Sequence, residues 1–120
     1  MGVLQRFFRR LGQTDEERRI GEVRGWAASI PDTVRIVEVR ERAKVRVAGV
    51  VRRLTLYPAG EESGTAFSAV IDDGTGQLTA HWVGRDRIRG LRLGTRLVLE
   101  GVVARARGTL RMVNPRYEFV

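Results

Sequence analysis

The spacing of apolar residues changes once along the chain, near residue 33. Before this point apolar side chains recur every three to four residues, which is typical of amphipathic helices. After it they alternate with polar residues, which is typical of β-strands. The change predicts an N-terminal helical segment, residues 1–33, and a β-domain, residues 34–120. In a chain of 120 residues we expect the helical segment to pack on the β-domain or to extend from it.

Two helices are predicted in the N-terminal segment. Apolar residues at helical spacing, with three arginines among them, favour a short helix over residues 1–11. Thr14 and Glu17 have the spacing of a capping box and predict the start of a second helix, whose apolar face continues to residue 27. The sequence Ile30-Pro31-Asp32 predicts its end.

Five strands follow from the alternating pattern. Their predicted bounds are 43–56, 65–72, 77–84, 96–106 and 109–119. The turn Asp72-Asp73-Gly74-Thr75-Gly76 separates the second strand from the third. The segment between the third and fourth strands has room for one or two helical turns, so we expect a short helical insert there.

Glycines in two of these strands indicate how the sheet closes. Gly49 interrupts the apolar alternation of the first strand, and Gly101 interrupts that of the fourth. A glycine inside a strand favours a sharp bend, where a long strand passes from one side of a barrel to the other. Together with the insert, the two bent strands predict a five-stranded OB-fold, a small Greek-key barrel with N-terminal helices. An SH3-like barrel or a small sandwich is the alternative.

Several motifs within residues 43–118 resemble OB-fold nucleic-acid-binding domains, including the anticodon-binding type and the wedge domain of RecG-type branched-DNA helicases. They are Val47-Ala48-Gly49-Val50-Val51, the segment 67–76 with its Asp-Gly-Thr-Gly turn, Leu93-Gly94 and Leu99-Glu100-Gly101-Val102-Val103. The ending 108–117 is similar to the end of the wedge, with Asn114 in place of a His. The chain also resembles small stand-alone OB-fold proteins of actinobacteria. The resemblance implies a bacterial protein that binds single-stranded or branched DNA, or RNA, on a face of the barrel.

The charge balance favours the same class of partner. The sequence has 22 basic and 14 acidic residues, for a formal net charge of +8, and every basic residue except Lys44 is arginine. Arginine pairs with phosphate through two N–H groups and stacks on bases better than lysine does. Nucleic acid is therefore the first expected partner, and an anionic membrane surface is the second.

The composition excludes several kinds of site. The chain has no Cys and one His, which excludes disulfides, thiolate catalysis, zinc ribbons and most metal-hydrolase sites. No apolar run reaches the roughly 20 residues of a membrane span, and no secretory signal is recognisable. We expect a soluble, cytoplasmic protein with no integral membrane association, no metal and no cofactor.

Strand parity predicts the residues that face a ligand. OB-folds bind single strands with a basic groove for phosphates and with side chains that stack on bases, on strands two and three and the adjoining loops. The residues of outward parity are Arg46, Ala48, Ser68, Val70, Thr79, His81 and Val83. The predicted nucleic-acid-binding residues are Arg46, Arg52, Arg53, Tyr57, His81, Arg85, Arg105, Arg107 and Arg111.

Each aromatic candidate has two interpretations. His81 stacks on a base or is a solvent-facing side chain without a role. Tyr57, placed in the loop after the first strand, stacks on a base or plugs the barrel end. Tyr117 stacks at a DNA junction, by resemblance to the wedge, or packs against the N-terminal helices. Trp82 and Phe67 have inward parity and are expected in the core.

Charged residues outside the predicted strands also have two interpretations. Arginines crowd the segment between strands three and four with few acids nearby, which favours phosphate contact over a merely solvated surface: Arg85, Arg87, Arg89 and Arg92. Glu61 and Glu62 make the loop between strands one and two acidic, so it repels phosphate. Asp72 and Asp73 are expected to bond to backbone amides of their own turn, and with no third ligand or base nearby they form no metal or catalytic site.

Two functions from different classes follow. The first is a non-enzymatic OB-fold that binds nucleic acid with modest, salt-sensitive and largely sequence-independent affinity, because few aromatic side chains are available for stacking. The alternative is an assembly module that docks a protein partner through residues 1–27 or a barrel edge. No nucleophile–base pair or metal set is recognisable, so no catalytic residue is predicted.

Overall fold

The computed structural model describes residues 14–60 and 64–120. The predicted helix over 1–11 and the acidic pair Glu61 and Glu62 lie outside these residues. One helix, α1 (Asp15–Ser29), precedes a 3-10 helix, η1 (Ile36–Glu38). The strands are β1 (Lys44–Gly60), β2 (Gly64–Asp72), β3 (Gln77–Val83), β4 (Arg96–Ala106), β5 (Thr109–Val113) and β6 (Arg116–Phe119).

Five strands close into a ring in the order β1-β2-β3-β5-β4, because β1 pairs with both β2 and β4. All neighbours in the ring are antiparallel except β3 and β5, which are parallel. The predicted five-stranded barrel is therefore confirmed. The strand β6 lies outside the ring and pairs with β4.

The bend of β1 depends on Gly49, as its place in the apolar pattern predicts. Residues up to Val50 pair with β4, and residues from Val50 onward pair with β2. A Cβ atom on Gly49 would lie 3.2 Å from the carbonyl oxygen of Asp72 and 3.3 Å from the side chain of Ile71. The missing side chain lets β1 approach the end of β2 at the point where it changes partner.

The barrel core contains side chains from every strand of the ring. Its largest fully buried side chains include Val47, Ile71, Leu78, Leu97, Leu99 and Met112. Phe67 and Trp82 are also buried, with ring centroids 6.2 Å apart. The indole Nε1 of Trp82 donates to the carbonyl oxygen of Pro115 at 3.2 Å, which satisfies the one polar atom of this buried ring.

Instead of the single strand predicted over 109–119, the structure has β5 and β6. Asn114 adopts a positive φ of 50°, and Pro115 has no backbone N–H to contribute to a ladder. Asn114 compensates for the interruption: its N–H donates to the carbonyl of His81 at 2.7 Å, and its Oδ1 accepts from the N–H of Val83 at 2.9 Å. The break therefore fixes the end of β3.

The helical insert expected between the third and fourth strands is also corrected. Residues 84–95 form turns and contain no helix. Gly84, Gly90 and Gly94 have φ values of 80°, 86° and 85°, which a right-handed helix does not contain. Two side chains of this segment, Ile88 and Leu91, are buried in the barrel core and anchor the connection.

The start of the β-domain is anchored by η1. Ile36 is 1% exposed within the barrel core. Its N–H donates to Oδ2 of the buried Asp73 at 2.8 Å, and the N–H of Val37 donates to Oγ1 of Thr75 at 3.2 Å. The chain before β1 is thereby tied to the turn between β2 and β3.

The helix α1 packs on the outside of the barrel. Thr14 caps it as predicted, because Oγ1 accepts from the N–H of Glu17 at 3.2 Å, and the helix ends before Ile30. Ala27 lies against Ala48 and Val98. Ala48 has outward parity, yet it is buried because α1 covers it.

A side-chain contact holds α1 to the turn between β2 and β3. Arg24 donates through Nη2 and Nε to the carbonyl oxygen of Gly74, at 2.8 and 3.3 Å. Gly74 has a φ of 84°, and a Cβ atom there would lie 2.7 Å from Cβ of Arg24. Glycine is therefore required both by the turn and by the approach of the helix. No helix in the described part of the chain is long and apolar enough to cross a membrane.

Candidate nucleic-acid interface

An open groove of about 490 Å³ crosses the outer face of β1, β2, β3 and β5. Its lining residues are Tyr57, Ser68, Thr79, His81, Ala106, Arg107, Thr109 and Arg111. The lining has hydroxyl, aromatic and guanidinium groups and no carboxylate. We call this feature the groove.

Strand register arranges the side chains of this face in rows, because directly paired residues project on the same side of a sheet. The first row is Arg53, Val70, Thr79 and Arg111. The second is Thr55, Ser68, His81 and Val113. The third is Tyr57, Ala66 and Val83. The face is thus basic in the first row, carries His81 at its centre and is apolar in the third row.

His81 is held in place from two sides. Its Nδ1 lies 2.6 Å from Oγ of Ser68 on β2, a hydrogen bond that fixes the ring orientation. Its ring centroid lies 5.7 Å from that of Tyr57, with an angle of 63° between the planes. The two rings therefore form an edge-to-face pair on the floor of the groove.

The pKa of His81 is lowered from its ordinary value of 6.5, first by burial of the imidazole and second by the positive charge of Arg111. Both causes disfavour the imidazolium form. At neutral pH the ring is uncharged, and its flat face is suited to contact with a base.

The β4–β5 turn places two arginines on the groove side. Arg107 and Gly108 occupy the turn with φ values of 52° and 78°, as required for a two-residue hairpin. Arg107 and Arg111 both line the groove. Arg105 pairs with Leu110 rather than with Arg111, so it lies on the other face of this hairpin, where Nη1 donates to the carbonyl of Gly108 at 3.3 Å.

Arg46 lies away from the groove. It belongs to the first half of β1 and points outward on the side formed by β1, β4 and β6. Its guanidinium donates to the carbonyl of Pro31 at 3.0 Å and to the carboxylate of Glu118 at 3.3 Å. This arginine is already paired and lines a separate cavity of about 350 Å³.

The remaining predicted arginines lie around the groove. Arg53 extends the first row onto β1. Arg52 is exposed at the register shift between Val51 and Arg53. Arg85 is exposed just beyond the third row, after the end of β3. The structure therefore brings Arg53, Tyr57, His81, Arg107 and Arg111 to one face, places Arg52 and Arg85 beside it, and separates Arg46 and Arg105 from it.

Tyr57 lies within a strand rather than in the loop where the sequence places it. The strand β1 continues through Pro58 to Gly60, so the Tyr57 ring, 48% exposed, stands over the groove. Tyr117, by contrast, packs edge-to-face on Trp82 and Phe119, with centroids 5.8 and 5.7 Å away. Its aromatic contacts are therefore with Trp82 of the core and Phe119 of β6.

This face also contains four residues that the sequence pattern does not assign to it: Thr55, Ala106, Thr109 and Val113. Thr55 belongs to it because the register shift between Val51 and Arg53 reverses the inward and outward positions in the second half of β1. The other three belong to it because β5 pairs in parallel with β3. The alternation within β4 and β5 predicts which way these three side chains point. It does not predict which strand lies next to β5.

Both carboxylate oxygens of Asp73 accept hydrogen bonds, from its own turn and from η1. Oδ1 accepts from the N–H of Thr75 at 2.8 Å, from the hydroxyl of Thr75 at 2.6 Å and from the N–H of Gly76 at 3.1 Å. Oδ2 accepts from Ile36. Asp72 accepts from the N–H of Gly74 at 2.6 Å. These contacts support the structural interpretation of both aspartates.

Comparison with solved structures identifies the fold. The OB domain of Ta0387 from Thermoplasma acidophilum is 20% identical, with a TM-score of 0.56 over 72% of this chain and 85% of that one. The second OB-fold domain of replication protein A from Methanococcus maripaludis is 12% identical, with a TM-score of 0.54 over 72% of this chain and 93% of that one.

A replication protein A heterotrimer bound to single-stranded DNA also matches, at 16% identity and a TM-score of 0.51, over 68% of this chain and 60% of that one. No known protein family matches the sequence, and no curated protein is significantly similar to it. At these identities the similarity shows the fold alone: the barrel is an OB-fold, and not an SH3-like barrel or a sandwich.

Proposed function

We propose that this OB-fold chain is a non-enzymatic protein that binds single-stranded nucleic acid in the groove. The observation that carries the proposal is the joint presence, on one face, of an aromatic pair, Tyr57 and His81, and of arginines that form no salt bridge with any described residue. A single strand offers phosphates to the first and unstacked bases to the second.

The arginines of the groove are available for phosphate. In the described ranges, 14–60 and 64–120, the salt bridges involve neither Arg53 nor Arg107 nor Arg111. Lys44 and Arg46, on another side of the barrel, pair with Glu100 and Glu118. This face therefore carries positive charge that no described acidic residue pairs with, and a phosphate backbone would neutralise it.

The aromatic pair favours a single strand over a duplex. Tyr57 and His81 present ring surface that only an unstacked base can contact. A base stacked on an aromatic side chain contributes about 1–3 kcal/mol, so two such residues support modest affinity. Because these contacts do not read base edges, we expect weak sequence preference.

The proposal also covers the type of nucleic acid that is bound and the place where the protein acts. Replication protein A, which shares the fold, is described bound to single-stranded DNA. The resemblance of 108–117 to the helicase wedge favours branched DNA, and RNA offers the same phosphates and bases. A bacterial, cytoplasmic protein acting on such ligands remains our prediction.

The alternative function, docking of a protein partner, would use a surface of α1 that the barrel already covers in part. The apolar face of α1 is occupied, because Val23 and Ala27 are buried and Ala27 lies against the barrel. A partner that needs this face must first displace the helix. The part of residues 1–27 before Thr14 lies outside the described chain.

Fluorescence anisotropy with a panel of labelled ligands tests the proposal. The ligands are single-stranded DNA, the RNA of the same sequence, a duplex and a forked junction, each at low and near-physiological salt. We expect single strands or the fork to bind more tightly than the duplex, with affinity falling as salt rises. Equal binding of all ligands, lost at physiological salt, would show that the net charge acts non-specifically and would refute the proposal.

Affinity is expected to rise as pH falls below 6.5. In the free protein the pKa of His81 is lowered, so the ring is neutral at pH 7.5. A neighbouring phosphate favours the charged imidazolium, hence binding takes up a proton and lower pH strengthens it. One added exposed ion contact contributes about 0.2–1 kcal/mol, or up to about fivefold in affinity.

Oligothymidine is the suitable ligand for this pH series, because its bases do not titrate over the range. The His81→Gln variant keeps a hydrogen-bonding group for Ser68 and serves as the control, with a flat profile expected. A wild-type profile as flat as that of the variant would show that no phosphate lies beside His81.

A further inference from the structure

A second set of arginines lies in the connection between β3 and β4. We call it the connection arginines, and its members are Arg85, Arg87, Arg89 and Arg92. All four side chains are exposed, and Asp86 is the one acidic residue in the segment 84–95. The connection therefore has a surplus of three positive charges in twelve residues.

The connection displays these arginines from a fixed backbone. Ile88 and Leu91 lie between them in sequence and are buried in the barrel core. The N–H of Leu91 donates to the carbonyl of Ile88 at 3.1 Å, and Thr95 closes a second turn by accepting from the N–H of Arg92 at 3.0 Å. With the apolar side chains directed inward, the guanidinium groups project into solvent.

Unlike several other arginines, the connection arginines have no side-chain partner among residues 14–60 and 64–120. Within the described residues no salt bridge or side-chain hydrogen bond involves their guanidinium groups. Arg24, Arg35 and Arg46, on α1 and near β1, each bond to a carbonyl or carboxylate. Four arginines within eight residues, with Asp86 as the one acid among them, are suited to a polyanion.

The connection continues from one end of the groove. The strand β3 passes from Thr79 in the first row, through His81, to Val83 in the third. Gly84 then donates to the carbonyl of Thr65 at 2.6 Å, and Arg85 follows. At about 3.3 Å per residue, β3 covers about 13 Å from Thr79 to Val83, and Arg85 lies two residues beyond its end.

We propose that the connection arginines form a second phosphate-binding surface, which holds the continuation of the nucleic-acid strand bound in the groove. This inference rests on the proposed function. The first basic row, the aromatic pair and the connection arginines then follow one another in the direction of β3, with the connection arginines beyond its end. A strand longer than the groove gains phosphate contacts at the connection, and a short one does not.

Ligand length separates the two surfaces. Oligothymidines of about 4 and about 16 nucleotides, the limits of the usual site size of one OB-fold, serve as the short and long ligands. For the Arg87→Gln/Arg89→Gln double variant we expect long-ligand affinity to fall by about 2- to 30-fold. The slope of log affinity against log salt should fall by about 1.4, or about 0.7 per lost phosphate contact. Short-ligand affinity should stay within about twofold of wild type.

An Arg18→Gln/Arg19→Gln double variant is the matched control, because it removes the same charge from exposed positions on α1 that do not line the groove. We expect it to bind both ligands like wild type. Equal losses in the two variants would assign the effect to net charge and overturn the inference. So would an unchanged long-ligand affinity in the Arg87/Arg89 variant, or an equal loss for the short ligand.

The short ligand also separates this inference from the proposed function. If wild type binds neither ligand at low salt, both are wrong. If wild type binds both, and substitution of the groove residues Arg107 and Arg111 weakens both while substitution at the connection weakens neither, only the second surface is refuted.

Discussion

Replacing Asp73 with alanine is expected to lower the free energy of unfolding by about 3 kcal/mol or more. The carboxylate accepts from three backbone N–H groups, those of Ile36, Thr75 and Gly76, and from one hydroxyl. Asp73 is only 3% exposed, so the donors that it leaves have little access to water. A buried donor without a partner costs about 1–3 kcal/mol.

Asp72→Ala is the matched control for this prediction. Asp72 is half-buried and accepts from the N–H of Gly74. Losing this local contact should cost about 1 kcal/mol. Urea denaturation followed by circular dichroism measures both variants. Equal, small losses would show that the bonds of Asp73 to η1 and the turn do not stabilise the fold as we describe.

The second large effect is expected on binding. The Arg107→Gln/Arg111→Gln variant removes both arginines that line the groove. We expect its affinity for single-stranded oligothymidine to fall by about 2- to 30-fold, and its salt slope to fall by about 1.4. Both effects follow from the loss of two phosphate contacts.

The control for the groove variant removes two other arginines that the sequence also predicts to bind nucleic acid. Arg46→Gln/Arg105→Gln has the same net charge, but Arg46 pairs with Glu118 and Arg105 lies on the other face of its hairpin. Anisotropy titrations of both variants should therefore separate location from charge. A similar loss in the control would place the phosphate contacts outside the groove.

Local periodicity of the sequence predicts those features of the architecture that depend on neighbouring residues. Alternation gave the strand positions, and Gly49 marked the bend that closes the barrel. Where tertiary contacts decide, local patterns failed. The alternation of Leu110 and Met112 after the turn predicts one last strand, 109–119. In the structure Asn114 instead bonds to the end of β3, and Pro115 has no N–H to continue the ladder.

The sequence predicts which types of residue form the candidate site, but it predicts the positions of only some of them on the barrel. Parity separates inward from outward residues, yet it does not say which side of a closed barrel an outward residue faces. Arg46 and His81 share outward parity and lie on different sides, because β1 bends between its two pairings. Ala48 has outward parity too, but α1 covers it, a contact between distant segments that no local pattern contains.

The most direct test of the central claim is a map of amide chemical-shift changes when a short oligothymidine is added to the isotope-labelled protein. The groove account predicts that the largest changes occur at Ser68, Thr79, His81 and Arg111, with little change at Val98 and Glu118 on the opposite side of the barrel. Changes concentrated at Val98 and Glu118, or spread evenly over the surface, would contradict it.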